Sequence, residues 1–342
     1  MARNFIETII TGVVGGLILT LLGVPAGWLC GAACSVAIAA IVGRPMVMPN
    51  RLRDLIFIVL GTSMGSALSP QTLEDAKLWP MSIVILLVSV AATMLAGSYY
   101  LRRVHAWDNA TARLSSTPGA LTAVLILATN TVANFPAVAL SQTLRQFVLI
   151  SLVPVAMMLS STDIPATAAP LATPFAMLIM LVAGYAGGML ATLIRMPGGK
   201  LIGAMLASSV VHVTGFAEGR LDPWLLTAAY ILMGSLVGSR FKGTKLSELR
   251  KVILPALGCI CVTVVISVCF ALLCTWSLGL PFPEVWLAYA PGGVEAMTVM
   301  AYALNLDPSF VSAHHVIRLL ALILLSPLWT ANIVKPSEKS VV

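Results

Sequence analysis

Two arginines stand where a charge is costly. Arg145 is the only charged residue between Arg113 and Asp163, and Arg318 occupies the matching place in a second, similar stretch. Each lies about ten residues into an apolar helix, roughly 15 Å deep at the helical rise. A charge at mid-bilayer costs about 2.5–3.5 kcal/mol on insertion scales, so it must face protein or water and have a partner. For Arg318 the candidates are Glu295, His314 and His315, the two histidines at i−4 and i−3 on its helical face. Arg145 has Ser141 and Gln142 at those places and Thr122 in place of Glu295. An arginine without an acid suits a substrate carboxylate or phosphate, because its planar fork pairs with either. The competing use of both arginines is to pin the carbonyls of a broken helix.

Beside each arginine's stretch runs a short Pro-Gly motif. Ser115-Ser116-Thr117-Pro118-Gly119-Ala120 is paired with Tyr289-Ala290-Pro291-Gly292-Gly293, and the apolar pieces that follow, 119–132 and 292–304, are too short to cross a bilayer. With Ser or Thr as cap and proline at the first position, each reads as a half-helix starting at its tip. The free N–H groups and positive dipole end of such a tip form an anion site, and glycine lets a ligand approach the backbone. The expected substrate-binding set is therefore Pro118, Gly119, Arg145, Pro291, Gly292, Gly293 and Arg318. Glu295, in the first turn of the second half-helix, and His314 and His315 could titrate and couple transport to protons. Asn130 and Asn134, with Asn305 and Asp307 opposite, follow the half-helices as caps or, alternatively, as cation ligands. Four histidines without ligand spacing argue against a copper or iron oxidase site, so no metal, no other cofactor and no enzyme activity are expected.

The elements that must position these residues follow from composition. Of 342 residues, 59% are hydrophobic and 10% charged, against about 25% charged in a soluble domain. The apolar total is enough for about ten spans of ~20 residues and leaves no room for a soluble domain as well. The expectation is an all-α polytopic membrane protein, since barrel strands would alternate instead. Two spans divide at Gly23-Val24-Pro25 within the uncharged run from Thr8 to Gly43; others lie near 52–69, 80–101, 136–159, 170–194, 198–213, 223–240, 252–279 and 309–334. The net charge of +7 reads as topology rather than as a nucleic-acid partner. Arg44, Arg51 and Arg53, then Arg102, Arg103 and Arg113, then Arg195 and Lys200, then Arg240, Lys242, Lys245, Arg250 and Lys251 all fall on one side if the two short pieces do not cross. The loops with Glu74 and Asp75, Asp163, Glu218 and Asp222, and Glu284 then fall on the other. That gives ten crossings with both termini cytoplasmic. The first 22 residues are read as structural rather than as a cleaved signal, because Glu7 sits early and no small-residue cleavage site follows. All six cysteines lie in apolar runs and suggest no disulfide framework.

The chain repeats itself. Pro25, Gly27, Leu29, Gly31 and Ala32 match Pro197, Gly199, Leu201, Gly203 and Ala204 at a spacing of 172. One residue of slippage later, Gly61-x-x-x-Gly65-Ser66 matches Gly234-x-x-x-Gly238-Ser239, Pro118-Gly119 matches Pro291-Gly292, and Arg145 matches Arg318. The repeats are assigned to 1–162 and 163–342. Each holds about five transmembrane helices plus a broken or re-entrant helix, and the odd number inverts one half relative to the other. Inverted repeats with broken helices are a signature of secondary transporters.

Pro291-Gly292-Gly293-Val294-Glu295-Ala296-Met297, Asp307-Pro308, His314-His315-x-x-Arg318, Gly43-Arg44-Pro45 and Ser116-Thr117-Pro118-Gly119-Ala120 together resemble the AbrB-duplication membrane proteins of Gram-negative bacteria. The resemblance covers essentially the whole chain and implies a multi-pass protein of the bacterial inner membrane. Labels in that family include regulation of gene expression and ammonia monooxygenase. The metal-poor sequence speaks against the second, and no loop is long enough to house a helix-turn-helix that would contact nucleic acid directly. The leading expectation is a secondary transporter of a small anionic or polar solute, driven by protons or sodium, with the lipid bilayer as its surroundings and a homo-oligomer left open. The alternative is a membrane-embedded regulator of gene expression that acts through a partner.

Overall fold

A computed structural model describes residues 2–66, 76–119, 121–158, 170–330 and 333. Helices account for nearly all of them, and the pairing of Leu171 with Arg220 is an isolated bridge. In chain order the helices are α1 (Ala2–Leu21), α2 (Gly27–Ile41), α3 (Asn50–Gly65), α4 (Trp79–His105), α5 (Asn109–Ser116), α6 (Leu121–Thr129) and α7 (Phe135–Met158). A second series follows: α8 (Pro174–Leu193), α9 (Gly199–Val213), α10 (Pro223–Ser239), α11 (Leu246–Leu278), α12 (Phe282–Tyr289), α13 (Val294–Ala303) and α14 (Pro308–Thr330). The offset is 172 residues from α2 to α9 and 173 from α5 to α12 and from α7 to α14.

Six helices (α1, α4, α7, α8, α11 and α14) are long and apolar enough to cross a bilayer. This is an all-α polytopic membrane protein. Four of the ten expected spans are shorter: α2 and α9 have 15 residues each, α3 has 16 and α10 has 17. At 1.5 Å per residue they rise about 22–26 Å against a ~30 Å core. Left-handed breaks set the lengths of α2 and α9. Ala26 and Gly198 stand at φ 52° and 64° before α2 and α9, and Gly43 and Gly215 at 97° and 72° after them. The loop acids Glu74, Asp75 and Asp163, residue Ala120 and the 162/163 repeat boundary lie outside the described residues.

The chain forms two compact units, each taking segments from both halves: Met1–Trp79, Phe147–Lys245 and Val294–Ala313 in one; Pro80–Gln146, Leu246–Gly293 and His314–Val342 in the other. In the first unit α3 packs on α9 and α10 on α2, with α1 against α2 and α8 against α9. The glycine pairs make these approaches. A Cβ on Gly61 or Gly65 would strike the carbonyls of Leu201 or Met205, and one on Gly234 or Gly238 those of Leu29 or Ala33. Small residues let membrane helices meet backbone to backbone. Ser208 Oγ donates to the Thr62 carbonyl at 2.7 Å across the α3–α9 contact. The outer faces of α1 and α8 expose Ile6, Ile10, Val14 and Leu17, and Leu178, Val182, Tyr185 and Met189, as a lipid-facing surface does. In the second unit α11 packs against α12 and α5, and α5 against α6.

Candidate functional site

Both Pro-Gly motifs are breaks between two short helices: α5 ends at Ser116 and α6 starts at Leu121, while α12 ends at Tyr289 and α13 starts at Val294. The half-helices have nine and ten residues, so at 1.5 Å per residue they rise about 14–15 Å and cannot span. The prolines are not at the first helical position, as the sequence suggests, but in the linkers. Thr117 explains the difference in the first half, because its Oγ1 donates back to the Arg113 carbonyl at 2.7 Å and closes α5 rather than capping α6.

Each arginine reaches the break of its own half. Arg145, 3% exposed on α7, donates from Nη1 to the Thr117 carbonyl at 3.0 Å and from Nη2 to Gln142 Oε1. Gln142 Nε2 donates to the carbonyls of Leu114 at 2.7 Å and Thr117 at 3.1 Å. Arg318, 1% exposed on α14, donates from Nη1 to the Ala290 carbonyl at 2.7 Å and from Nη2 to the Gly292 carbonyl. Its Nη2 also meets His315 Nδ1, and His315 Nε2 lies 3.1 Å from the Leu287 carbonyl. A guanidinium only donates, so Nδ1 accepts, and the ring is the neutral tautomer whose Nε2–H donates to Leu287. His314, also buried, meets Ser82 Oγ through Nε2, and the Tyr289 hydroxyl donates to the Ser82 carbonyl.

The structure thus gathers Pro118, Gly119 and Arg145 at one break and Pro291, Gly292, Gly293, His315 and Arg318 at the other, with His314 beside the second. Glu295 is half-buried in the first turn of α13, in the other compact unit, and its charge acts on Arg240 at the end of α10. Arg145 and Arg318 belong to the same unit and are close enough for their charges to act on one another. Both Nε atoms are buried without a hydrogen-bond partner. Beside Arg145 the unpartnered hydroxyls of Ser115 and Ser141 line a cavity of about 10 Å³, together with Cys259 and Thr263.

Of the residues after the half-helices, Asn134 and Asp307 cap helices. Asn134 Oδ1 accepts from the Ala137 N–H at 3.2 Å and Asp307 Oδ1 from the Ser309 N–H at 2.7 Å. Among the described residues no three His, Cys, Asp or Glu side chains gather in one place. Arg113 does more than its place among the loop charges suggests: it lies over the Trp329 ring at 5.2 Å and donates to the Trp329 carbonyl. The sequence carries no spacing that foretells that contact.

The sequence model of the family described as "Transition state regulatory protein AbrB" matches residues 28–333. The chain belongs to the AbrB family. The matched span includes both breaks and both arginines. Among curated relatives, the "Uncharacterized protein YhjN" of Bacillus subtilis (strain 168) is 28% identical over 344 residues, covering 92% of this chain and 88% of that protein. The "Putative regulator AbrB" of Escherichia coli (strain K12) is 26% identical over 314 residues, covering 89% of this chain and 88% of that protein.

Proposed function

We propose that this AbrB-family chain is a secondary transporter of a small anionic or polar solute in the bacterial inner membrane. The observation that carries the reading is the pair of buried guanidiniums in one compact unit, Arg145 from the first half and Arg318 from the second. Their hydrogen-bond partners are carbonyls, an amide and a neutral imidazole, none of them an acid. Two uncompensated cations in a low-dielectric interior favour an anion, and each retains an Nε–H to offer it. The N–H groups of the half-helices that follow add partial positive charge. In this reading the halves are inverted repeats of five crossings, both termini are cytoplasmic, and alternating access moves the solute past the breaks.

Glu295, His314 and His315 are the coupling groups. A proton taken up by His315 would set an imidazolium against Arg318 and cancel the acceptor at Nδ1, loosening the hold on the Ala290 and Gly292 carbonyls. The test is uptake and counterflow of a panel of small carboxylates and phosphate in proteoliposomes, with proton or sodium gradients imposed. Arg145→Gln and Arg318→Gln are each expected to lower uptake about tenfold or more, the effect of removing a charged hydrogen bond. If both variants fold and transport like the wild type, the assignment of the arginines fails.

The name of the Escherichia coli relative favours a second reading, a membrane-embedded regulator that acts through a partner. It predicts that neutralising Arg240, Lys242, Lys245, Arg250 and Lys251 changes target-gene expression while Arg145→Gln and Arg318→Gln do not.

A further inference from the structure

The second compact unit holds a cavity of about 570 Å³ walled by α4, α6 and α14 and touching the Pro118-Gly119 break. This is the size of pockets that enclose small-molecule ligands. Its wall is almost wholly apolar. The two hydroxyls on it are already engaged, Thr117 Oγ1 with the Arg113 carbonyl and Ser326 Oγ with the Ile323 carbonyl. A polar solute would therefore lose its hydration here without recovering hydrogen bonds.

Leu95 and Trp329 also line a second recess, of about 410 Å³, whose wall is more polar. Ala96, Ser98, Tyr99, Arg102 and Arg113 complete it among the described residues. Among the described residues neither arginine forms an ion pair. Arg113 is fixed over Trp329, while Arg102 is exposed in the last turn of α4. An apolar chamber thus continues, past one leucine and one tryptophan, into a chamber whose two guanidiniums have no ion pair among the described residues. Leu95, Leu325 and Leu328 are exposed around it, so the apolar chamber opens where hydrocarbon rather than water surrounds the protein.

We propose that this pair of recesses binds an anionic glycerophospholipid of the surrounding bilayer, an acyl chain in the apolar cavity and the phosphate on Arg102 and Arg113. Two guanidiniums suit a phosphate, and basic pockets between transmembrane helices hold anionic headgroups. The chain end would lie against Gly119, where even a Cβ would meet Leu322 at 3.3 Å, so occupancy buttresses the first break. The inference rests on the two cavities and holds whether or not the protein transports a solute.

The test uses the full-length protein in detergent, titrated with dioleoyl phosphatidylglycerol or dioleoyl phosphatidylcholine and followed by native mass spectrometry and thermal unfolding. Phosphatidylglycerol is expected to bind about tenfold or more tightly than phosphatidylcholine, the effect of two basic contacts near the membrane surface. The Arg102→Gln/Arg113→Gln variant is expected to bind the two lipids equally. Ala91→Trp, which fills the apolar wall, is expected to weaken both. Glycerol phosphate, the headgroup without its chains, should shift nothing. Arg102→Gln alone changes an exposed side chain, so a folded protein remains for the comparison, and its preference should fall between the two. Equal binding of both lipids by the wild type would overturn the proposal. So would an undiminished preference in the arginine variants, or a response to glycerol phosphate equal to that of the lipid.

Discussion

Gln142 and His315 make the same pair of hydrogen bonds in the two halves of the chain. Each accepts from the arginine three residues further on, and each donates to the carbonyl 28 residues earlier, Leu114 or Leu287. A neutral imidazole with its proton on Nε2 presents one acceptor and one donor, as an amide does. The glutamine therefore identifies the protonation state that the histidine must have.

His315→Gln should accordingly keep the fold, with a stability change within about 1 kcal/mol in thermal unfolding, since both bonds are remade. His315→Leu removes both and should cost about 1–3 kcal/mol, the penalty for a buried unpaired group. If proton coupling runs through His315, the glutamine variant alone separates coupling from stability: it unfolds like the wild type but carries solute without regard to the proton gradient.

Arg318 and Arg145 should differ in what they hold together. Arg318→Met leaves the Gly292 carbonyl and His315 Nδ1 without their guanidinium donor, while the Ala290 carbonyl keeps the Gly292 N–H. After Arg145→Met the Thr117 carbonyl still accepts from Gln142, and Gln142 Oε1 is the acceptor that loses its donor. At about 1–3 kcal/mol for each orphaned buried acceptor, Arg318→Met should be the more destabilised by melting temperature. Equal losses would mean that the two breaks are held by something other than these bonds.

Gly61→Ala places a Cβ on the Leu201 carbonyl, a backbone atom that cannot swing aside, and should destabilise by about 1–3 kcal/mol or prevent accumulation of folded protein. Gly43, with nothing within 4 Å of its Cβ position but φ at 97°, tests the other role of glycine. Gly43→Ala should cost only local strain, about 1–3 kcal/mol, without disturbing helix contacts. Cysteine cross-linking across the α3–α9 contact distinguishes the two, since only the Gly61 variant should lose it.

Asp307→Ala should cost about 0.5–2 kcal/mol through loss of the N-terminal cap of α14 and leave any sodium dependence of uptake unchanged. Loss of sodium dependence at normal stability would instead restore the cation-ligand use of this residue.

Much of this was legible before the structure. A single charge in a long apolar run marked Arg145 and Arg318, and a Pro-Gly pair repeated at 173 residues marked the breaks. The helix starts were less legible: Thr117 is as good a cap as it is a closing residue, and only the direction of its hydroxyl decides. Span length was less legible at α2, α3, α9 and α10, which have 15 to 17 residues. Many of their residues are buried against other helices while others, such as Ile38, Leu55 and Val210, are exposed, and hydropathy does not tell a helix buried in protein from one bathed in lipid. The partner of Arg318 was open among Glu295, His314 and His315 because helical spacing places both histidines on its face. Whether a ring nitrogen accepts depends on the carbonyl behind it, here Leu287, which is distant in sequence.

The glycine contacts also bear on how the protein is made. The surface of α3 that receives α9 is complete once Gly65 has been synthesised, yet Ser208, which bonds to Thr62, is 146 residues further on. At 5–20 residues per second that is an interval of roughly 7–30 s. Throughout it the nascent first half carries a strip of small residues and a carbonyl at Thr62 that still awaits Ser208. α2 waits still longer for α10. The membrane insertion machinery must therefore hold a half-finished bundle, and a ribosome that stalls before Gly199 leaves α3 without α9 and α2 without α10.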